Sequence, residues 1–377
     1  MFPDKQRTPV FALFALMLLL WTGCMPPGQD EIALVLEDLA AGEHQSRLKG
    51  RVPAPIRTSI GYEIRGRDYQ GDLYRPGEPV RAGIVLVPGV ARQGKDDPRL
   101  VALANTLARA RFLVLVPDLP NLRALQVRAG DARGVAGAFS HLLSRPEFPD
   151  HGRAGIGAFS YAVGPAVLAA LEPEIRERVD FVLGVGGYHD LHSVVTFFTT
   201  GYFRKDGQWQ YLEPNRYGKW VFTLGNVERL AEPLDRETFR SMGEHKLEDP
   251  AAAVEHLSGR LTPEGRAVYA LLENRDPQHT PALIAGLPAA IRTDLSALNL
   301  VNKDLSRLRA RLILLHGTDD AIIPYTESIA LAAAVPEGQS RLFIIDGLAH
   351  VDVRPYGIDR HAMRRAIGAL LAERDQK

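Results

Sequence analysis

The chain is predicted to be an α/β protein: a mostly parallel sheet flanked by helices, interrupted by a helical insertion. Three observations carry this. Apolar runs of strand length recur at 83–88, 112–116, 154–159, 181–185, 311–315 and 341–345. Segments with helical apolar spacing separate them, at 100–110, 131–143, 162–171, 326–334 and 361–372. Between about 188 and 306 the alternation stops. Apolar runs without in–out alternation are expected of strands buried on both faces. Strand–helix–strand repetition implies parallel pairing with helices on both sides of the sheet.

The elements follow in order. Residues 24–55 read as a tether and a short amphipathic helix at 32–39, where Ile32, Leu34, Val35, Leu36 and Leu39 share helical spacing. Residues 56–65 and 69–75 carry alternating patterns suited to an antiparallel hairpin. The core is expected over 56–187 and 307–377, and the insertion over 188–306. A structureless loop of that length is improbable inside a compact domain. The early part of the insertion is rich in aromatics, from Tyr188 to Phe222, read as cap core more simply than as a ligand box. Its later part reads as helices punctuated by Pro250, Pro263, Pro277, Pro281 and Pro288.

Composition narrows the function classes. The chain has 377 residues, 45 Lys+Arg against 45 Asp+Glu, and is 46% hydrophobic and 24% charged. That is ordinary globular composition. A net charge of zero argues against nonspecific nucleic-acid binding, which needs surplus basic charge to displace counterions. A single cysteine forms no internal disulfide and no Cys-x-x-Cys zinc site.

The N-terminus reads as a signal segment over 1–23. Lys5 and Arg7 give a basic start, and 10–21 is uncharged and apolar but shorter than the roughly 20 residues of a spanning helix. Gly23 precedes Cys24, the only cysteine. The segment resembles a bacterial lipoprotein signal, in which that cysteine is acylated and becomes the mature N-terminus; Trp21 stands where the signal usually has Leu. The resemblance implies lipidation at Cys24, a membrane contact through the lipid anchor, and a place in the cell envelope. Met25 rather than Asp after the cysteine favours, by the same resemblance, the outer membrane of a two-membrane bacterium, with a periplasm-facing anchor on the inner membrane left open. The alternative is an ordinary signal peptide with an incidental cysteine.

Three strand ends carry candidate chemistry. The run 154–164 takes an apolar strand into Ser160 and leaves by a helix of small residues. Ala158 and Ala162 lie two residues to either side, where a sharp strand-to-helix turn needs small side chains. A serine there gains from the helix dipole and from free backbone N–H groups; its plainer reading is a helix cap. The Tyr161 N–H would point where an oxyanion develops, and the Val90 N–H, in the loop after 83–88, is the candidate second donor. Strand 311–315 breaks into a turn with Asp319 and Asp320. Strand 341–345 ends at Asp346 and a loop carrying His350. Loop aspartates are usually turn formers, but Ser, Asp and His here stand in that order, each after a strand.

In these residues the chain resembles the α/β-hydrolase superfamily, over roughly 60–187 and 308–371; the cap matches in position only. The resemblance implies that Ser160 attacks, His350 carries the proton and Asp320 orients His350. Gly317 and Pro324 select Asp320 over Asp319 by the family's spacing, with Asp346 as the second choice and His316 as structural. The implied activity is ester hydrolysis of a small acyl substrate through an acyl-enzyme, without cofactor or metal. Thioester, amide or peptide cleavage and acyl transfer use the same triad and stay open. So does a non-catalytic binding lipoprotein on the same scaffold.

Other motifs compete weakly. Gly89 to Lys95 fits Gly-x-x-x-x-Gly-Lys, but Asp96 replaces the Ser/Thr hydroxyl that holds magnesium. Gly155-x-Gly157-x-x-Ser160 imitates a dinucleotide fingerprint in part, without a convincing preceding strand. His189-Asp190-Leu191-His192 lacks a second cluster to complete a metal site and reads as a polar rim where the cap begins.

Overall fold

The computed structural model describes residues 29–350, 352–353 and 358–376. Cys24 and the apolar segment 10–21 lie outside the described residues. Among the described residues no helix is long and apolar enough to cross a membrane.

The sheet is formed by β1 (Ile56–Ile64), β2 (Arg67–Arg75), β3 (Ala82–Val87), β4 (Phe112–Pro117), β5 (Arg153–Phe159) and β6 (Phe181–Val185), then β9 (Arg311–Gly317) and β10 (Ser340–Ile345) beyond a separate hairpin, β7 (Tyr202–Lys205) and β8 (Gln208–Tyr211). The eight strands run in the order β1-β2-β4-β3-β5-β6-β9-β10. β2 is antiparallel to both neighbours, and the other pairs are parallel. Every residue of β3, β4 and β6 is buried, as their unbroken apolar runs predict. One apolar cluster packs helices Asp131–Leu143 and Val163–Ala170 on one face. The other packs Pro98–Arg109, Arg360–Asp375 and part of Gln29–Ala41 on the opposite face. The core strands and helices thus fall within a few residues of their sequence-read positions.

Local signals set the helix starts. Asp97 accepts the Arg99 N–H at 2.9 Å, with Pro98 in the first turn. Asp190 accepts the His192 N–H at 2.9 Å and opens Leu191–Thr200, which Gly201 closes in the left-handed conformation at φ 80°.

The strand order creates the place for a site. From β3 the chain crosses to β4 on one side, whereas β5 lies on the other side of β3 and leads away to β6. The connections leaving β3 and β5 therefore diverge, and a crevice opens beyond their C-terminal ends. Between β6 and β9 the insertion supplies helices Leu191–Thr200, Arg216–Asn226, Pro233–Glu248, Pro263–Glu273, Thr280–Ala285 and Ala289–Leu298. Phe197, Phe198, Phe203 and Trp220 are buried there, whereas Tyr211 and Tyr217 are exposed. The insertion is not wholly helical, because β7 and β8 pair antiparallel across Asp206-Gly207.

Candidate active site

Ser160 occupies the first position after β5, with φ at 56°. Left-handed backbone at a non-glycine residue costs about 1–2 kcal/mol and is found where the fold over-determines it. Here the fully buried Ala158 and Ala162 let the strand turn at once into the helical turn Ser160–Ala162 and the helix Val163–Ala170. Tyr161 lies in the first turn, where backbone N–H groups have no intrahelical partner. Gly89 faces Phe159 at the same strand end, which brings the loop containing Val90 beside the turn.

The candidate acid and base meet at the neighbouring strand ends. His350 Nδ1 lies 2.7 Å from Asp320 Oδ2. Asp320 is fully buried, and its other oxygen accepts the N–H groups of Ile322 (2.8 Å) and Ile323 (3.0 Å). Burial alone would raise the Asp320 pKa, but the hydrogen bonds from His316 and His350 outweigh it and hold the carboxyl well below the usual carboxylate range. Asp320 therefore remains ionised and acts as an acceptor only.

Two glycines make this meeting possible. A Cβ on Gly317, at the end of β9, would overlap the Leu348 carbonyl oxygen, so glycine lets the chain leading to His350 lie directly on the strand end. Gly186 follows β6 at φ 62°, and a Cβ there would sit 3.2 Å from His350 Nδ1 and 3.4 Å from Asp320 Oδ2. Its predecessor Val185 pairs with Phe159, the residue before Ser160. The His350–Asp320 pair, which follows β9 and β10, thus lies against the end of β6, and Ser160 stands at the end of β5 beside it; Nδ1 bound to Asp320 leaves Nε2 as the free nitrogen of His350.

The remaining sequence candidates fall elsewhere. Asp346 accepts from Thr318 Oγ1 at 2.7 Å, and none of the donors to Asp320 goes to Asp319. Lys95 of the Gly-Lys motif reaches the buried Asp72 at 3.0 Å, and Asp96 also holds it, which turns the ammonium away from a phosphate role. Asp190 caps its helix and accepts from Asn299 at 2.7 Å. Among the described residues no group of three or more His, Cys, Asp or Glu is placed to hold a metal ion.

Two residues that the sequence reading set aside belong to this neighbourhood. His316 touches Asp320 directly, with Nε2 3.1 Å from Oδ2. Tyr217, in the cap helix Arg216–Asn226, donates to the Val90 carbonyl at 3.3 Å, and Asn215 N–H reaches Ala321 O at 2.7 Å. That helix therefore roofs both the candidate oxyanion loop and the acid loop. Beside it, a small cavity of about 70 Å³ lies between core and cap. Leu125, Val221, Phe222, Leu295 and Leu298 line it together with Tyr161. A more open, polar cleft of about 440 Å³ lies at the opposite ends of β5, β6 and β9, away from Ser160.

No family model and no curated protein matches the chain at the level of sequence. Solved structures do match. A protein of Legionella pneumophila assigned as a hydrolase aligns at a TM-score of 0.55 and 13% identity, over 88% of this chain and 94% of that one. The α/β hydrolase GrgF of a Penicillium species aligns at a TM-score of 0.50 and 15% identity, over 85% of this chain and 99% of the other. At such identities the likeness concerns architecture, and it agrees with the strand order and the flanking helices: this chain has the α/β-hydrolase fold.

Proposed function

We propose that the chain is a serine hydrolase that cleaves carboxylic esters through an acyl-enzyme, with Ser160 as nucleophile, His350 as base and Asp320 as its partner. The observation that carries this reading is the 2.7 Å His350–Asp320 contact, held against Gly186, one strand over from a serine in left-handed backbone. Ser160 Oγ attacks the acyl carbon while its proton passes to His350 Nε2. Asp320 holds the Nδ1–H and balances the imidazolium charge. The oxyanion accepts from the N–H groups of Tyr161 and Val90. Collapse expels the alcohol, which takes the proton from His350, and water repeats the sequence on the acyl-serine. The cavity beside Tyr161 is small and mostly apolar, with Arg128 and Asp294 in its wall; taken as the acyl site, it favours a short acyl group.

Fluorophosphonate labelling of the chain from residue 25 onward, with a short-chain p-nitrophenyl ester assay beside it, tests the reading. Labelling and turnover are expected in the wild type and absent in Ser160→Ala. A folded wild type that neither labels nor turns over ester would leave a binding protein on the hydrolase scaffold as the better reading.

The same proposal places the protein at the cell envelope through acylation of Cys24, supported by the basic start, the short apolar run and the single cysteine. Cys24→Ala is expected to move the protein from the membrane to the soluble fraction; continued membrane association would refute the anchor.

A further inference from the structure

His316 ends the apolar stretch of β9 and is fully buried, yet each of its ring nitrogens has a polar partner. Nε2 lies 3.1 Å from Asp320 Oδ2 and 2.9 Å from the Ile323 carbonyl oxygen. Both neighbours accept and neither donates, so Nε2 carries the hydrogen. Nδ1 lies 2.7 Å from Ser328 Oγ, also fully buried. In a neutral ring Nδ1 is the acceptor, and the Ser328 hydroxyl is its donor.

The contacts form a closed frame. Asp320 Oδ1 is fixed by two backbone N–H groups of its own loop, at Ile322 and Ile323. His316 fixes Oδ2 and, through the Ile323 carbonyl, the far arm of the same loop. The carboxylate plane is thereby set from both sides, and among the described residues the other hydrogen bond of Oδ2 is to His350 Nδ1 at 2.7 Å.

We infer that His316, donating from Nε2–H, is a positioning residue that aims Asp320 Oδ2 at His350. This deepens the serine-hydrolase reading and rests on it. His316 does not touch the reacting atoms, and its effect on the reaction runs through Asp320.

Two amide substitutions separate the ring's two edges. In His316→Gln the amide nitrogen reaches about where Nε2 stood and restores the donor to Asp320. In His316→Asn the amide reaches only the position of Nδ1, keeping the Ser328 contact and losing Asp320. The readouts are the rate of fluorophosphonate labelling, resolved into the reagent's binding constant and its maximal rate, and the far-downfield proton resonance of the His350–Asp320 hydrogen bond.

His316→Asn should lower the maximal rate about tenfold, equivalent to about 1.4 kcal/mol. Reagent binding should change less than about twofold, and the resonance should shift. His316→Gln should recover most of the rate and the wild-type resonance. Asn is smaller than His whereas Gln nearly matches it, so a role limited to packing would rank the two variants alike in rate and Tm but would leave the resonance unshifted; a slowed His316→Asn with the wild-type resonance would therefore overturn the inference. Wild-type rates and resonance in a folded His316→Asn would overturn the inference, and so would equal impairment of both variants, including failure of both to fold. A wild type that shows the resonance and does not label would refute the hydrolase reading, while the response of the resonance to Asn and Gln would still decide the role of His316.

Discussion

Replacing Asp320 by Asn is the sharpest test of the assignment of the acid, because four hydrogen bonds fix what the substitution does. Each carboxylate oxygen of Asp320 faces two donors: the Ile322 and Ile323 N–H groups on Oδ1, and His350 and His316 on Oδ2. An amide has one oxygen and one NH₂. If the oxygen stays with the backbone donors, the NH₂ faces His350 Nδ1, which must then accept. The proton moves to Nε2, and the nitrogen that should take the Ser160 proton can no longer do so. If the amide flips, the NH₂ meets two backbone N–H groups, and a loop of the site is broken instead. A wrong tautomer of the base costs on the order of 10⁴ in kcat, about 5 kcal/mol of transition-state stabilisation. Asp319→Asn leaves all four bonds in place and should change kcat by less than about threefold, well within 1 kcal/mol. The assay is kcat on a p-nitrophenyl ester with Tm recorded for both variants. A crippled Asp319→Asn beside a working Asp320→Asn would refute the reasoning, as would two equally active variants.

Two further outcomes follow from backbone and burial. Ser160→Gly removes the cost of left-handed backbone, about 1–2 kcal/mol, against about 0.5–1 kcal/mol of extra chain entropy lost by glycine. The inactive variant should therefore melt about 1–3 °C higher than the wild type by calorimetry, and a lower Tm would mean that Ser160 is not strained. Glu327 is buried where the cap begins, and accepts the N–H groups of His189 (3.0 Å) and Asp190 (2.7 Å). Burial raises its pKa more than these donors lower it. A carboxyl raised in the folded state binds its proton more tightly there than in the unfolded chain. Its stabilisation is complete below the unfolded value and is lost as pH rises through the folded one. Glu327→Gln keeps an acceptor for both N–H groups without the charge, so its Tm relative to wild type should rise as pH is raised above the ordinary carboxylate range. A flat difference would show that Glu327 does not couple protonation to stability.

The sequence made the core legible because the core obeys local rules. β3, β4 and β6 are buried on both faces and read as unbroken apolar runs. The sharp turn at Ser160 was visible for a related reason: small residues on both sides of a serine, between a strand and a helix, suit a strand that turns at once into a helix. The insertion was less legible, because its helices bury against one another as well as against the core, so no single apolar period runs through it. The β7–β8 hairpin carried a local signal that the reading of a helical insertion passed over. Asp206-Gly207 adopts positive φ at both residues, at 51° and 77°, the geometry that an Asp-Gly turn between two strands favours. Flanked by Arg204, Lys205, Gln208 and Gln210, that signal was hidden by polar neighbours within an aromatic stretch.

His316 failed to announce itself for a deeper reason. Its distance of four residues from Asp320 spans the end of a strand and a turn, and its distance of twelve from Ser328 adds the first residues of a helix; neither spacing carries a period that sequence alone can use. What makes the contact necessary is the burial of Asp320. A carboxylate removed from water must find about as many donors as it loses in hydration. His350 and two loop N–H groups supply three, and the free side of Oδ2 still faces the interior, where the side chain at the strand end is the nearest one able to donate. Reading outward from a buried charge, rather than along the chain, is what picks His316 out from among the chain's eleven histidines.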